Sequence, residues 1–164
     1  MCGAPYPASQ IDPFHLACPA CGFILHENLR ASVGALVLQD HQLLLVKRAI
    51  DPHIGSWDVP GGFTEPNEHP EQSVKREVKE ELSITCRVLR LFGVYAPNPY
   101  LYLGKLVYTC DLFYLVSIGR GLLKPSDDIN GYRWFPLDHL PKDPDLAFPS
   151  TRKVLHDLKQ STLH

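Results

Sequence analysis

The chain has 164 residues, 45% of them hydrophobic, and a formal net charge of -2. That length suits one domain with a real core plus a small appendage. No apolar run reaches the ~20 residues that span a bilayer, and so near-neutral a balance argues against tight sequence-independent binding to nucleic acid, which rests on Lys and Arg neutralising phosphates. The start, "MCGAPYPASQ", has neither a basic n-region nor an apolar h-region. A cytoplasmic protein with a small-molecule partner is therefore expected. The sequence does not distinguish a monomer from a homodimer.

Residues 1–30 are rich in Pro, Cys and small residues, and read as an N-terminal element separate from a main domain over 31–164. The five cysteines, at 2, 18, 21, 86 and 110, are odd in number, which speaks against a disulfide framework. Cys86 and Cys110 lie in apolar segments and are expected as buried thiols. "ASVGALVLQ" and "LLLVKR", either side of Asp40-His41, read as a strand hairpin. Residues 50–68 read as a long loop broken by Gly55, Pro60, Gly61, Gly62 and Pro66.

Pro70 suits the first turn of a helix, with Glu71 well placed for the macrodipole. Val74, Val78 and Leu82 recur every four residues and give that helix an apolar edge. Residues 84–95 and 105–118 read as long, mostly buried strands, joined by a loop around "YAPNPYLYLGK". "GYRWFPL" is a last short strand. Ser150 is placed to cap a C-terminal helix with Val154, Leu155 and Leu158 inward. Strands mixed with two helices predict an α/β sandwich.

The first helix gathers acids that the near-neutral chain does not explain. At about 100° per residue, Glu77, Glu80 and Glu81 fall in one sector of roughly 100°. Like charges at helical spacing cost a few tenths of a kcal/mol per pair. Arg76, four residues before Glu80, offsets part of this. A solvated charged face with Lys75 and Lys79 is one account. A hard cation is the other, because Mg²⁺ and Mn²⁺ take carboxylate and water oxygens. The Gly-Gly pair before the helix would let backbone approach a ligand closely.

From Gly62 to Ile84 the sequence resembles the signature box of the Nudix hydrolases: Gly, five residues, Glu, seven residues, Arg-Glu, an aliphatic, any residue, Glu-Glu, any residue, Gly, an aliphatic. Gly62, Glu68, Arg76, Glu77, Val78, Glu80, Glu81 and Ile84 stand at those spacings. "GSWDVPGG" resembles the segment that leads into the box, and the likeness extends over about 31–158. Ser83 departs from the pattern, standing where the box has Gly; it touches helix termination and no metal ligand.

The resemblance implies a Nudix-type α/β/α sandwich with a mixed sheet, plus the small Cys-x-x-Cys element in front. It implies Mg²⁺ or Mn²⁺ held by Glu77, Glu80, Glu81 and the Gly62 carbonyl. Arg76 and Glu68 would orient the carboxylates, and water would cleave a pyrophosphate in a nucleoside diphosphate linked to a further group. A box glutamate, or Asp127 or Asp128 from a later loop, would take the proton; for these two a plain acidic turn is the alternative. Tyr95, Tyr100 and Asp128 are candidate substrate contacts, with core or rim packing the alternative for the tyrosines. Trp57 is expected to pack.

"CPACG" at 18–22 has the form of a zinc knuckle. Some Nudix hydrolases carry an N-terminal zinc ribbon, and the front of this chain resembles one whose first knuckle survives as Cys2-Gly3. Cys2, Cys18 and Cys21, completed by His15 or His26, would hold Zn²⁺; a packed flap without metal is the alternative. The substrate is expected to be ADP-ribose-like, a dinucleotide or a nucleotide sugar. A segment of the Ser-Gln-Pro-Trp type, which marks NADH-cleaving members, is absent. Nucleoside triphosphate hydrolysis and non-catalytic sensing of a nucleotide are the rival functions.

Overall fold

A computed structural model describes residues 9–12, 15–26 and 28–161. Strands β1 (Ser9–Asp12), β2 (His15–Ala17) and β3 (Ile24–His26) form a small antiparallel sheet where the sequence showed little periodicity. The main sheet contains β4 (Arg30–Gln39), β5 (Gln42–Arg48), β6 (Trp57–Asp58), β7 (Gly61–Phe63), β8 (Cys86–Tyr102), β9 (Lys105–Ile118) and β10 (Ile129–Pro136). Its main path runs β10-β5-β4-β9-β8, with β6 on β5 and β7 on β4. The β4–β9 pair is parallel and the rest are antiparallel, so the sheet is mixed as expected.

Strand β4 changes partners along its length. It pairs with β5 only at Leu38 and Gln39, and with β7 at Ser32–Gly34. The sheet therefore splits beside the N-terminal half of β4. The turn between β4 and β5 is Asp40-His41, both with positive φ (48° and 60°), the twist a two-residue hairpin prefers.

The two helices cover opposite faces. Helix α1 (Pro70–Leu82) buries Val74, Val78 and Leu82 against Val33, Ala35 and Val37. Helix α2 (Pro149–Ser161) buries Val154, Leu155 and Leu158 against Leu36, Leu43 and Leu45. Alternate residues of β4 serve the two cores, as the pleat requires. The sequence-predicted α/β/α sandwich is the observed fold. Trp57 packs edge-on against Phe135, ring centres 5.0 Å apart.

Helix α1 is capped by His69. Its ring accepts from the Glu71 N–H, and the Gln72 side chain accepts from the His69 N–H. Ser83 ends the helix in the left-handed region at φ 56°. Serine there costs about 1 kcal/mol relative to glycine, so the departure from the box pattern is a small loss of stability with the turn retained.

Five expectations need correction. The loop expected around 95–104 is strand: β8 runs to Tyr102 and turns at Leu103-Gly104. Pro97 and Pro99 are tolerated because β8 is the sheet's edge and one register shift falls between Tyr95 and Asn98. For the same reason β8 is not mostly buried; Leu89, Leu91 and Val94 are exposed. The loop at 50–68 contains β6 and β7. Ser150 lies inside α2 and does not cap it; its N–H is satisfied by Asn98 Oδ1 of β8 at 3.2 Å. Cys86 and Cys110 are half-buried.

Candidate active site

A cavity of about 620 Å³ opens in the split of the sheet. One end is lined by Gly61, Gly62, Arg76, Glu77 and Glu80, the other by Ser32, Asn98, Asp111, Phe148 and Ser150. Asp127 and Asp128 lie on its wall. The backbone holds that loop against α1, through Lys124 N–H to Leu82 O and Ser126 N–H to Glu81 O.

The box residues Glu68, Arg76, Glu77 and Glu80 converge as expected. Arg76 donates from Nε and Nη2 to the two oxygens of Glu68 (both 3.1 Å), and from Nη1 to Glu77 (2.7 Å) and Glu80 (2.9 Å). Its Nη2 also reaches the Phe63 carbonyl at 3.0 Å. Bonds from Arg76 and Ser73 pull the Glu68 carboxyl down to about 2. Glu68 is thus a fixed anion that aims the guanidinium. The Glu68 contacts in turn raise the Arg76 pKa.

Glu77 and Glu81 are the tense members. Burial raises the Glu77 carboxyl, against the pull of Arg76. Glu81 is 5% exposed and is raised well above its ordinary value by burial, then by the charge of Glu77; a bond from the Gly61 N–H at 3.1 Å opposes this. Gly62 sits where a Cβ would come within 2.6 Å of a Glu77 carboxylate oxygen. Among the described residues no three His, Cys, Asp or Glu side chains converge as a metal-ligand set. Arg76 is instead the cation that Glu68, Glu77 and Glu80 share. The donors are all oxygen and they repel one another, and the missing Cβ of Gly62 is what admits the Glu77 carboxylate. That chemistry fits a hard divalent cation.

The other predicted residues divide. Tyr100 lines the cavity and packs on Phe148, centroids 5.2 Å apart. Asp128 also lines it, its carboxyl raised by burial and by Asp127. Tyr95 is not at the site. Its ring packs on Phe113 at 5.4 Å, and its hydroxyl donates to Asp157 of α2 at 2.9 Å. Tyr95 pairs with Asp111 and Tyr100 with Val107, so the two tyrosines share a face of β8 and are separated by their positions along the strand. Cys2 lies outside the described residues. Cys18 is half-buried and Cys21 exposed in the turn between β2 and β3, where Cys18 N–H bonds Phe23 O and Gly22 N–H bonds Cys18 O. His15 and His26 meet each other edge-on across β2 and β3, centroids 4.6 Å apart.

Sequence reasoning missed Arg30, Arg48, Asp58, Asn98, Asp111 and Phe148, all on the cavity wall. Asp111 had a signal: it is the only acid in the apolar strand "KLVYTCDLFYLVSI". Asp58 accepts from Thr151 Oγ1 (2.7 Å) and its neighbour's N–H (2.9 Å), and its side chain is 13% exposed. Burial pushes its carboxyl from 3.8 up to about 6. A folded-state pKa above the unfolded one means the native state holds the proton longer. Ionised Asp58 therefore destabilises the fold by up to about 3 kcal/mol above pH 6, an effect that vanishes below about pH 3.8. Asp58→Asn is expected to raise the melting temperature at pH 8 and to match the wild type near pH 3.5, checked by thermal melts across that range.

The NUDIX domain profile matches residues 28–158. An ADP-ribose pyrophosphatase of Methanocaldococcus jannaschii is 33% identical over 133 residues, 81% of this chain and 75% of that one. An NAD-capped RNA hydrolase of Chromobacterium violaceum is 29% identical over 94% of this chain; the chain spans 56% of that protein's length. A NUDIX hydrolase structure from Nitrosomonas europaea superposes with a TM-score of 0.75 at 27% identity, covering 89% of this chain and 78% of the other. With the box residues Arg76, Glu77 and Glu80 at one cavity on an α/β/α sandwich, these likenesses place the chain in the Nudix hydrolase family.

Proposed function

We propose that the chain hydrolyses the pyrophosphate bond of a nucleoside diphosphate linked to a further group, with Mg²⁺ or Mn²⁺ held by Glu77, Glu80, Glu81 and the Gly62 carbonyl. The observation that carries this reading is continuity: one cavity of about 620 Å³ joins Glu77 and Glu80 to aromatic and polar side chains that include Tyr100, Phe148, Asn98 and Asp111. The names of the M. jannaschii and C. violaceum relatives point to the same class of bond. A bound divalent cation would neutralise the diphosphate and acidify water. Glu68 holds Arg76, and Arg76 holds Glu77 and Glu80 in place. Asp128, on the wall with a raised pKa, is suited to accept a proton from the attacking water at its carboxylate. Product release from ADP-ribose, NADH, nucleotide sugars and triphosphates, with and without Mg²⁺, tests the reading. A triphosphate cleaved more than about tenfold better than all the others, about 1.4 kcal/mol in the barrier, would overturn the substrate class.

The front element, residues 1–30, is proposed as a reduced zinc ribbon. The Cys18–Cys21 turn, with Gly22 at φ 72°, supplies one knuckle, two of the four ligands a structural zinc needs. Protein purified without chelator should contain close to one zinc per chain, and Cys18→Ser should lose it while the sandwich stays folded. A metal-free wild type by elemental analysis would leave the packed flap as the answer.

A further inference from the structure

The cavity end remote from the box is built around one buried acid. Asp111 is 6% exposed. Ser32 Oγ donates to its Oδ1 at 2.5 Å and Asn98 Nδ2 to its Oδ2 at 2.7 Å. Asn98 is itself 5% exposed, and its amide also reaches Thr109 Oγ1 at 3.1 Å. Neutral donors alone hold the carboxylate, and among the described residues it makes no ion pair. A carboxylate has about four lone-pair sites, and two are used here. A buried acceptor left with spare capacity and facing a cavity is a recognition element for donors.

Position narrows the donor. Phe63, Ser32 and Asp111 stand in one row across β7, β4 and β9. Two strand spacings, roughly 10 Å, separate the Phe63 backbone from that of Asp111, and the Phe63 carbonyl is what Arg76 holds. A diphosphate at the box would place its nucleoside, and not a further phosphate, over Asp111. A phosphate there would meet a buried like charge.

We propose that Asp111 is a specificity-determining residue that accepts hydrogen bonds from a neighbouring pair of donors on the substrate's nucleoside, either the ribose 2′,3′-diol or the N1–H and N2–H edge of guanine. This rests on the functional reading above.

The test crosses two enzymes with four substrates. Wild type and Asp111→Asn are assayed on ADP-ribose, its analogue with 2′-deoxyadenosine, a GDP-linked sugar and the IDP-linked sugar that lacks the guanine amine. If the diol is read, the 2′-deoxy change lowers wild-type kcat/KM by about a hundredfold. If guanine is read, the loss of the amine does so. In either case the Asp111→Asn enzyme should discriminate by less than about threefold, because the acceptor pair is gone. A purely structural role would lower all four substrates equally, and that result would sink the inference. So would a wild type indifferent to both changes, which needs no variant and decides the matter even if Asp111→Asn fails to fold. A wild type that cleaves none of the four overturns the functional reading, and this inference with it.

Discussion

The Glu80→Gln enzyme is expected to turn over about 10³-fold more slowly than the wild type and to melt at nearly the same temperature. Glu80 is the most exposed of the clustered box carboxylates, its side chain 45% accessible beside 12% for Glu77. An exposed helical pair such as Arg76–Glu80 contributes about 0.3–0.5 kcal/mol, and removing a charge from a crowded patch returns part of it. Stability is therefore nearly indifferent to the change, while an oxygen of the proposed metal site is lost. Steady-state kinetics over a range of Mg²⁺ concentrations, with a thermal melt of the same sample, check both halves. Wild-type turnover in this variant would remove Glu80 from the machinery.

The second large effect separates two adjacent glycines. At Gly62 a Cβ would meet the Glu77 carboxylate at 2.6–2.8 Å. That carboxylate ends a flexible side chain and can move aside, so Gly62→Ala should fold. Its Glu77 would be displaced from Arg76 and from the proposed cation site, and activity should fall by about a hundredfold or more. At Gly61 a Cβ would stand 2.1 Å from the Val33 carbonyl, which belongs to the central strand and cannot yield. Gly61→Ala should lose the β4–β7 pairing and most of the soluble folded protein. Circular dichroism and activity on both variants decide it; equal damage from the two would contradict the geometry.

The difference between the two ends of the cavity explains what could be read from sequence. The box end comes from one stretch, Gly61 to Glu81, whose spacing is set by one loop and one helix. Helical periodicity placed Val74, Val78 and Leu82 inward, and the box motif placed Glu68 beside Arg76. The end around Asp111 is assembled from β4, β8, β9 and the start of α2. Asp111 reaches Ser32 across 79 residues, and Asn98 reaches Ser150 across 52. No local pattern encodes such pairings. Tyr95 was misplaced for a related reason: the prolines around it read as a loop, which hid its place in a paired strand against Phe113 and Asp157. Asp127 and Asp128 looked like an ordinary acidic turn until backbone bonds to Leu82 and Glu81 brought their loop to the cavity.

The bond from the Ser150 N–H to Asn98 Oδ1 has a consequence for how the molecule opens. The first turn of α2 has its donor satisfied by a side chain of the long hairpin, and Tyr95 of that hairpin also bonds Asp157 further along the helix. Neither element can detach without exposing the other's polar groups. In native-state hydrogen exchange the amides of α2 and those of β8 near Asn98 should open as one cooperative unit, with a common free energy and a common response to denaturant. That unit is one wall of the cavity around Asp111, so ligand bound there should slow exchange in the last helix as much as in the hairpin.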